Sequence, residues 1–397
     1  MPSLRLREVV SLLERRYPPA TAEPWDAVGL VLGDPEQEVR RVLLAVDPVE
    51  EVVREAVRLE ADLLVCHHPL FLRGVHGVPA TTAKGRVAHE LVRAGCALYA
   101  AHTNADAAAG GVADALAAAL GVRETRPLVP APAAPMDALV TYVPTDGAGA
   151  LVEALSAAGA GAVGDYEQCA WLVDGTGQFL PGPGARPTIG AVGTLERVAE
   201  TRIEMVLPQS RRDAVLHALR AAHPYEEPAF TITAMAPWAS TTGGGRIGVL
   251  DEPMTLAAFA ERVAAALPAT AQGVRVAGDL DAVVRRVAVC GGSGDSYLGA
   301  VRAADADVYV TADLRHHPTS EAREEARGAR PHLVDVAHWA SEWPWLPVAA
   351  RTLEDDVAAA GASVETHVST LVTDPWTARL APVHGAPSGR PTTGDAS

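Results

Sequence analysis

Four segments of the chain place histidine and carboxylate residues just beyond short apolar runs: CHHPLFLRG (Cys66 to Gly74), AHTNADAAAGG (Ala101 to Gly111), TADLRHHP (Thr311 to Pro318) and DVAHWASE (Asp335 to Glu342). His67, His68, His102, Asp106, Asp313, His317, His338 and Glu342 all share that placement. Imidazole nitrogens and carboxylate oxygens are the donors that divalent first-row metals accept. Three imidazoles and two carboxylates brought together would exceed the needs of one catalytic zinc, which takes about three protein ligands and a water. They suit two ions about 3.5–4 Å apart with a bridging carboxylate and a hydroxide between them. Mixed nitrogen and oxygen ligation admits zinc, manganese, iron, cobalt or nickel alike.

Each of these residues also has a plainer explanation. Along a regular strand His67 and His68 would face opposite ways, so both reach one site only if the chain turns, which Pro69 favours. Asp106 precedes Gly110-Gly111 in a turn that opens a helix, where it would equally serve as a helix N-terminal carboxylate. His338 and Glu342 are four apart, the spacing of one helical face, although Pro344 points to a helix starting only around Ser341. His316-His317 stands before TSEAREEARG, which reads as a solvated helix. GGSGDS (Gly291 to Ser296) is a strand-to-helix turn able to cradle phosphate on its amides, but it lacks both full nucleotide-binding glycine patterns. No GxSxG elbow is present, which disfavours a serine hydrolase.

The elements that must position these residues alternate. From Arg40 the chain reads strand RVLLAVD, helix VEEVVREAVRLE, strand DLLVCH, helix KGRVAHELVRAG, strand CALYAAH and helix GGVADALAAALG. From Arg285 the alternation resumes with RRVAVC, SYLGAVRAA, VYVTAD, TSEAREEARG, HLVDV and a helix from about Trp345 to Ala360. Alternation of this kind implies right-handed βαβ units and largely parallel sheets, whose carboxyl strand ends form the crevice where ligands collect. Between PAPAAP (Pro130 to Pro135) and STTGGG (Ser240 to Gly245), both read as linkers, the order β-α-β-β-α-β predicts a ferredoxin-like α+β insert. The expected division is 1–130 and 246–378 as two α/β halves of one core, 136–237 as the insert, and 380–397 as a disordered Pro/Gly-rich tail.

At 397 residues, 48% hydrophobic and 21% charged, the chain is long enough for two or three globular domains. Its 33 Lys and Arg against 49 Asp and Glu leave a formal charge of −16, which opposes nucleic-acid binding. The scattered Cys66, Cys96, Cys169 and Cys290 show no CxxC spacing and read as reduced thiols of a cytoplasmic protein. MPSLRLREVVSLLERRY reads as an amphipathic helix rather than a signal peptide, and no uncharged apolar run reaches the ~18 residues of a membrane span.

WDAVGLVLGD (Trp25 to Asp34), CHHPL, HTNAD, GGSG, TADLRHH and DVAHWASE, in this order, resemble the motifs of the Nif-three-like family of dinuclear-metal hexameric proteins, which includes the type 2 GTP cyclohydrolase 1 homologues. The likeness runs from Leu6 to Trp376. It departs at Ala27, Ala312, Ala337 and Ser341, none of them a ligand position. The resemblance implies metal ligands His67, His68, Asp106, His338 and Glu342, with Glu342 bridging two divalent ions. It places Asp26, Asp313 and Ser341 behind those ligands and makes His102 and His317 candidate proton shuttles. It further implies a CutA/PII-like insert, marked by GAGAVGDYEQC, ARPTIGAVG and HPYEEPA, and a hexameric homo-oligomer. The function expected is that of a metal-dependent hydrolase of a nucleotide or related small molecule, with GTP ring opening as the named candidate and phosphoester hydrolysis next. A metal-binding regulatory or scaffold protein, whose insert senses a ligand or recruits a partner, is the alternative.

Overall fold

A computed structural model of the chain describes residues 2–380; residues 381–397 of the expected tail lie outside it. The chain divides into two compact units, one of residues 2–131 and 241–380 and one of residues 132–240.

The first unit is built on two main sheets. One has five strands in the order Glu365–Val368, Arg41–Ala45, Leu63–Cys66, Ala97–Ala100 and Gly29–Leu32. Its first four are mutually parallel, and only Gly29–Leu32 runs antiparallel. The strands Leu63–Cys66 and Ala97–Ala100 are buried along their whole length, which is why they read as continuous apolar runs without alternation. The other sheet has six strands: Arg275–Ala277, His332–Val336, Val308–Ala312, Val283–Ser293, Ala239–Thr255 and Val122–Pro132. Val283–Ser293, Val308–Ala312 and His332–Val336 pair in parallel, while Arg275–Ala277 and Ala239–Thr255 pair antiparallel to their neighbours His332–Val336 and Val283–Ser293, so this half is a mixed sheet and not the largely parallel one expected.

The two halves share one core. Val42, Leu63 and Tyr99 of the five-stranded sheet and Val287, Val310 and Val334 of the six-stranded one belong to a single buried cluster with Leu12, Leu116, Phe259, Trp345 and Leu353 from helices. The helices Glu50–Arg58 and Ala83–Ala94 cover the far face of the first sheet through Val52, Val53, Val87 and Leu91. A helix from Leu6 to Arg16 buries Leu6, Val9, Leu12 and Leu13 at the i, i+3, i+6 and i+7 positions of one face.

Of the segments read as linkers, Ser240 to Gly245 is strand throughout and Pro130 to Pro135 is strand as far as Pro132, with 133–135 outside any element. Pro130 falls in Val122–Pro132 and Ser240 to Gly245 in Ala239–Thr255, neighbours in the sheet. Val122–Pro132 is the edge strand, where a proline without a donor N–H is tolerated. Gly243 has φ +146°, and a Cβ there would lie 2.6 Å from Ala131 N, so only glycine lets the two backbones approach.

The second unit has its own core of Leu139, Leu151, Leu155, Ile203, Val215 and Leu219. Its strands Met136–Pro144, Trp171–Phe179, Glu196–Pro208 and Phe230–Ala234 alternate with helices Ala148–Ala157 and Arg212–Ala222 in β-α-β-β-α-β order. The spatial order is fourth, first, third, second, with every pair antiparallel, which is the ferredoxin-like arrangement.

Arg246 is 2% exposed. Its guanidinium donates to both oxygens of Asp114 and to the carbonyls of Ala108, Gly243 and Gly245. Arg246→Met should therefore destabilise the first unit by about 3–5 kcal/mol, because three carbonyls each lose a guanidinium donor and the Asp114 carboxylate loses its ion-pair partner. Urea unfolding monitored on both proteins checks this, with an unchanged midpoint as the contrary result.

Candidate metal centre

The strand Leu63–Cys66 ends immediately before His67, and the chain bends there, which brings both histidines to one side. Their amides still extend the ladder, His67 N donating to Ala45 O at 3.1 Å and His68 N to Val46 O at 2.9 Å. The strand Ala97–Ala100 delivers His102, and the five-residue helix Thr103–Ala107 presents Asp106. That helix is fixed by Asn104, whose buried side chain accepts from His102 N and donates to Tyr17 O.

From the other sheet, Val308–Ala312 leads to Asp313 and His332–Val336 to His338. His338 and Glu342 lie on one short helix, His338–Glu342, that ends before Pro344. The helix was expected to start only around Ser341. It starts at His338 instead, because Pro344 lies beyond its last turn and removes no hydrogen bond within it.

Glu342 is the meeting point. One oxygen, Oε1, lies 2.9 Å from His338 Nε2 and 3.4 Å from His67 Nε2, while Oε2 lies 3.3 Å from His68 Nε2. Asp106 Oδ1 is 3.7 Å from His67 Nε2. All five residues that the sequence motifs single out as ligands thus meet. His102 joins them: its ligand atom and those of His67 and His68 lie within 4.8 Å of one another, as do those of His68, His338 and Glu342. His317 does not. It stands exposed at the start of the helix His316–Glu325, its ring against that of His316.

The outer ring nitrogens decide how the imidazoles face. His67 Nδ1–H donates to Ala101 O at 2.8 Å, and since a carbonyl only accepts, Nε2 carries the lone pair. The same atom of His68 is bonded to Asp47 at 2.7 Å, that of His102 to Asp26 at 2.8 Å, and that of His338 to Asp313 at 2.6 Å. Four imidazoles therefore turn Nε2 toward a common centre, each oriented from behind by an acceptor, as metal-binding histidines are. His67 Nε2 and Glu342 Oε2 are buried without any hydrogen-bond partner, and a cation between them is what their chemistry fits.

Ser341 and the glycine turn complete the wall. Ser341 Oγ donates to His338 O and accepts from Gly292 N at 2.8 Å. Gly292 has φ +63°, and a Cβ on it would lie 2.6 Å from Glu342 Oε1 and 3.1 Å from His338 Nε2. The turn weighed above as a phosphate cradle thus spends this amide on Ser341 and its missing side chain on room for the ligands. Trp25, 57% exposed, packs edge to face against His102 at the border of the site, their ring centroids 5.9 Å apart.

Burial and mutual charge act against each other here. Burial alone would lower the His68 and His338 pKa values, but the Glu342 charge and the Asp47 and Asp313 bonds outweigh it and raise them to about 10 and about 11. Burial would raise Glu342, yet the three facing imidazoles hold it well below the usual carboxylate range. Asp106 is pushed up to about 6, first by burial and then by Glu342, although 32% of its side chain remains accessible. For His102 burial and the neighbouring His67 charge lower the pKa in spite of Asp26.

A family model described as Duf34/NIF3 (NGG1p interacting factor 3) matches residues 4–375. The chain belongs to the Duf34/NIF3 family. Among similar proteins, the GTP cyclohydrolase 1 type 2 homolog of Mycobacterium tuberculosis is 53% identical over 375 residues, 94% of this chain and 97% of that protein. The Bacillus subtilis protein of the same name is 38% identical over 340 residues, 86% of this chain and 90% of its own. Two solved structures share the fold over 95% of this chain and 99% of theirs: a Bacillus cereus protein related to NIF3, with TM-score 0.77 and 38% identity, and a Staphylococcus aureus protein with TM-score 0.80 and 28% identity.

Beyond the motifs of this family, the sequence reading missed two supports. Asp47 follows the strand Arg41–Ala45 as the other site residues follow theirs, so the signal for it was present. Ala101 acts through its carbonyl, which no residue type reveals.

With pKa values near 10 and 11, His68 and His338 hold protons at pH 7, whereas metal ligation needs neutral imidazole. Binding of a dication should therefore release protons, and apparent affinity should rise as pH increases from 6 to about 9. Calorimetric zinc titrations in buffers of differing ionisation enthalpy measure the released protons. A release of zero at pH 7 together with unchanged zinc affinity in His68→Ala and His338→Ala would remove these histidines from the ligand set.

Proposed function

We propose that the chain is a dinuclear-metal protein that hydrolyses a nucleotide or related small molecule, with GTP ring opening as the named candidate that its curated relatives' names suggest. The observation that supports this most directly is the set of inward-facing Nε2 atoms around the buried Glu342, with His67 Nε2 and Glu342 Oε2 left without partners. His67, His68, His338, Asp106 and Glu342 would hold two divalent ions, zinc, manganese, iron, cobalt or nickel. Ions bound there would supply Lewis acidity and a water that ionises near pH ~7.

The residues do the rest. Asp47, Asp313 and Ala101 O fix the orientation of three ligand imidazoles. His102, tied to Asp26 through Nδ1–H and with its pKa lowered first by burial, would take up a proton at the Nε2 it turns into the site. His317, exposed and outside the cluster, is not placed for that task. The Trp25 ring at the border offers a flat apolar surface suited to a heteroaromatic substrate.

Asp106→Asn separates the hydrolase from other readings. It keeps size while removing one negative charge, so the variant should fold normally yet lose both metal content and turnover by about tenfold or more. The measurements are elemental analysis and kcat/KM against pH across a nucleotide panel. Turnover that survives full chelation would place the chemistry elsewhere.

A second reading is regulatory: the ferredoxin-like insert, proposed here as CutA/PII-like from the resemblance of its motifs, would sense a ligand. Its favouring observation is a core of its own with none of the metal-site residues in it. Turnover on no nucleotide, with metal bound, would favour this reading. For either function we propose a closed homo-oligomer, a hexamer, from the resemblance of the motifs. Light scattering after size exclusion should report about six chains, and a monomer at micromolar concentration would contradict it.

A further inference from the structure

The insert contains a cavity of about 810 Å³, within the range of small-molecule sites, and no role at the metal centre explains it. Its floor is the edge strand Trp171–Phe179, and its roof is the segment 180–189. Two tethers clasp that roof to the HPYEEP turn (His223 to Pro228): Thr188 Oγ1 donates to Pro224 O at 2.7 Å and Arg186 N to Glu226 Oε2 at 2.8 Å. Gly177 leaves the room in the floor, since a Cβ there would collide with the Glu200 carboxylate.

The lining has one chemical character. Tyr142, Phe179 and Tyr225 supply rings, the last two 5.6 Å apart edge to face. Asp174, Glu200, Glu226 and Glu227 supply carboxylates, against the single cation Arg202. Arg202 is paired with Glu204 through Nη2 at 2.8 Å while its Nε is buried without a partner, and none of the four lining carboxylates has an ion-pair partner among the described residues. Tyr225 OH donates to Glu200 Oε1 at 2.8 Å and so fixes this carboxylate against the aromatic wall. Burial first, and then Glu200, raise the phenol pKa, so it remains a donor at neutral pH.

We propose that this cavity binds a small planar organic cation, an amidinium or guanidinium carried on a flat apolar body. Paired N–H donors match a carboxylate in fork geometry, and ring faces favour a cation laid over them. An organic anion of the same shape would meet uncompensated negative charge. The site lies wholly within the insert and does not depend on the hydrolase reading.

Benzamidine and benzoate are near-isosteres of opposite charge and test this on the full chain. Calorimetry and thermal shift should show saturable binding of benzamidine, with none of benzoate, and the same result after chelation of metals. Glu200→Gln, which keeps size, should weaken benzamidine at least tenfold. Glu153→Gln, on an exposed part of the helix Ala148–Ala157, should leave it unchanged and so controls for general attraction to an acidic protein. Equal binding of benzoate, or benzamidine affinity unaltered in a folded Glu200→Gln protein, would overturn the assignment.

Discussion

Glu342 is a carboxylate with 3% of its side chain exposed, placed where the two halves of the core meet. An unpaired charge at that depth costs several kcal/mol, and the protein answers it with imidazoles instead of arginine or lysine. That choice governs the neighbourhood. An imidazole shares a buried carboxylate either as a proton carrier or as a ligand beside a cation, so the same atoms could serve with or without an ion.

The requirement reaches outward through hydrogen bonds. An imidazole is useful at the centre only if its ring is held, and each of the four is held by an acceptor on its far side: Ala101 O, Asp47, Asp26 and Asp313. Ala101, Asp47 and Asp313 follow strands, whereas Asp26 stands in the loop ahead of the antiparallel strand Gly29–Leu32. Two sheets with buried parallel strands are thus needed less for their cores than for the register of their carboxyl ends, which sets where three of the four outer acceptors stand.

Much of this could be read in advance, for identifiable reasons. His67, His68, His338 and Glu342 follow apolar runs that have no purpose except to be buried strands, so their polar ends had to mark a crevice. The insert was legible because its strands are half buried and alternate, as the pattern of Glu196–Pro208 shows. What stayed hidden was non-local. Pro130 and Gly243 carry the composition of a linker but lie in adjacent strands, since their pairing depends on a partner over a hundred residues away. The short strands Gly29–Leu32 and Arg275–Ala277 gave no periodic signal because a few edge residues are too few to show one.

The buried Arg246 ties together stretches of chain that have little else in common. Its partners Gly243 and Gly245 belong to the strand by which the chain returns from the insert, while Ala108 lies one residue past the helix bearing Asp106. A planar guanidinium with its bonds satisfied tolerates little shear. Displacement of the returning strand would pull on the backbone behind Asp106 before it disturbed Glu342 or the imidazoles, which makes the more accessible of these two carboxylates also the one with a mechanical lever attached.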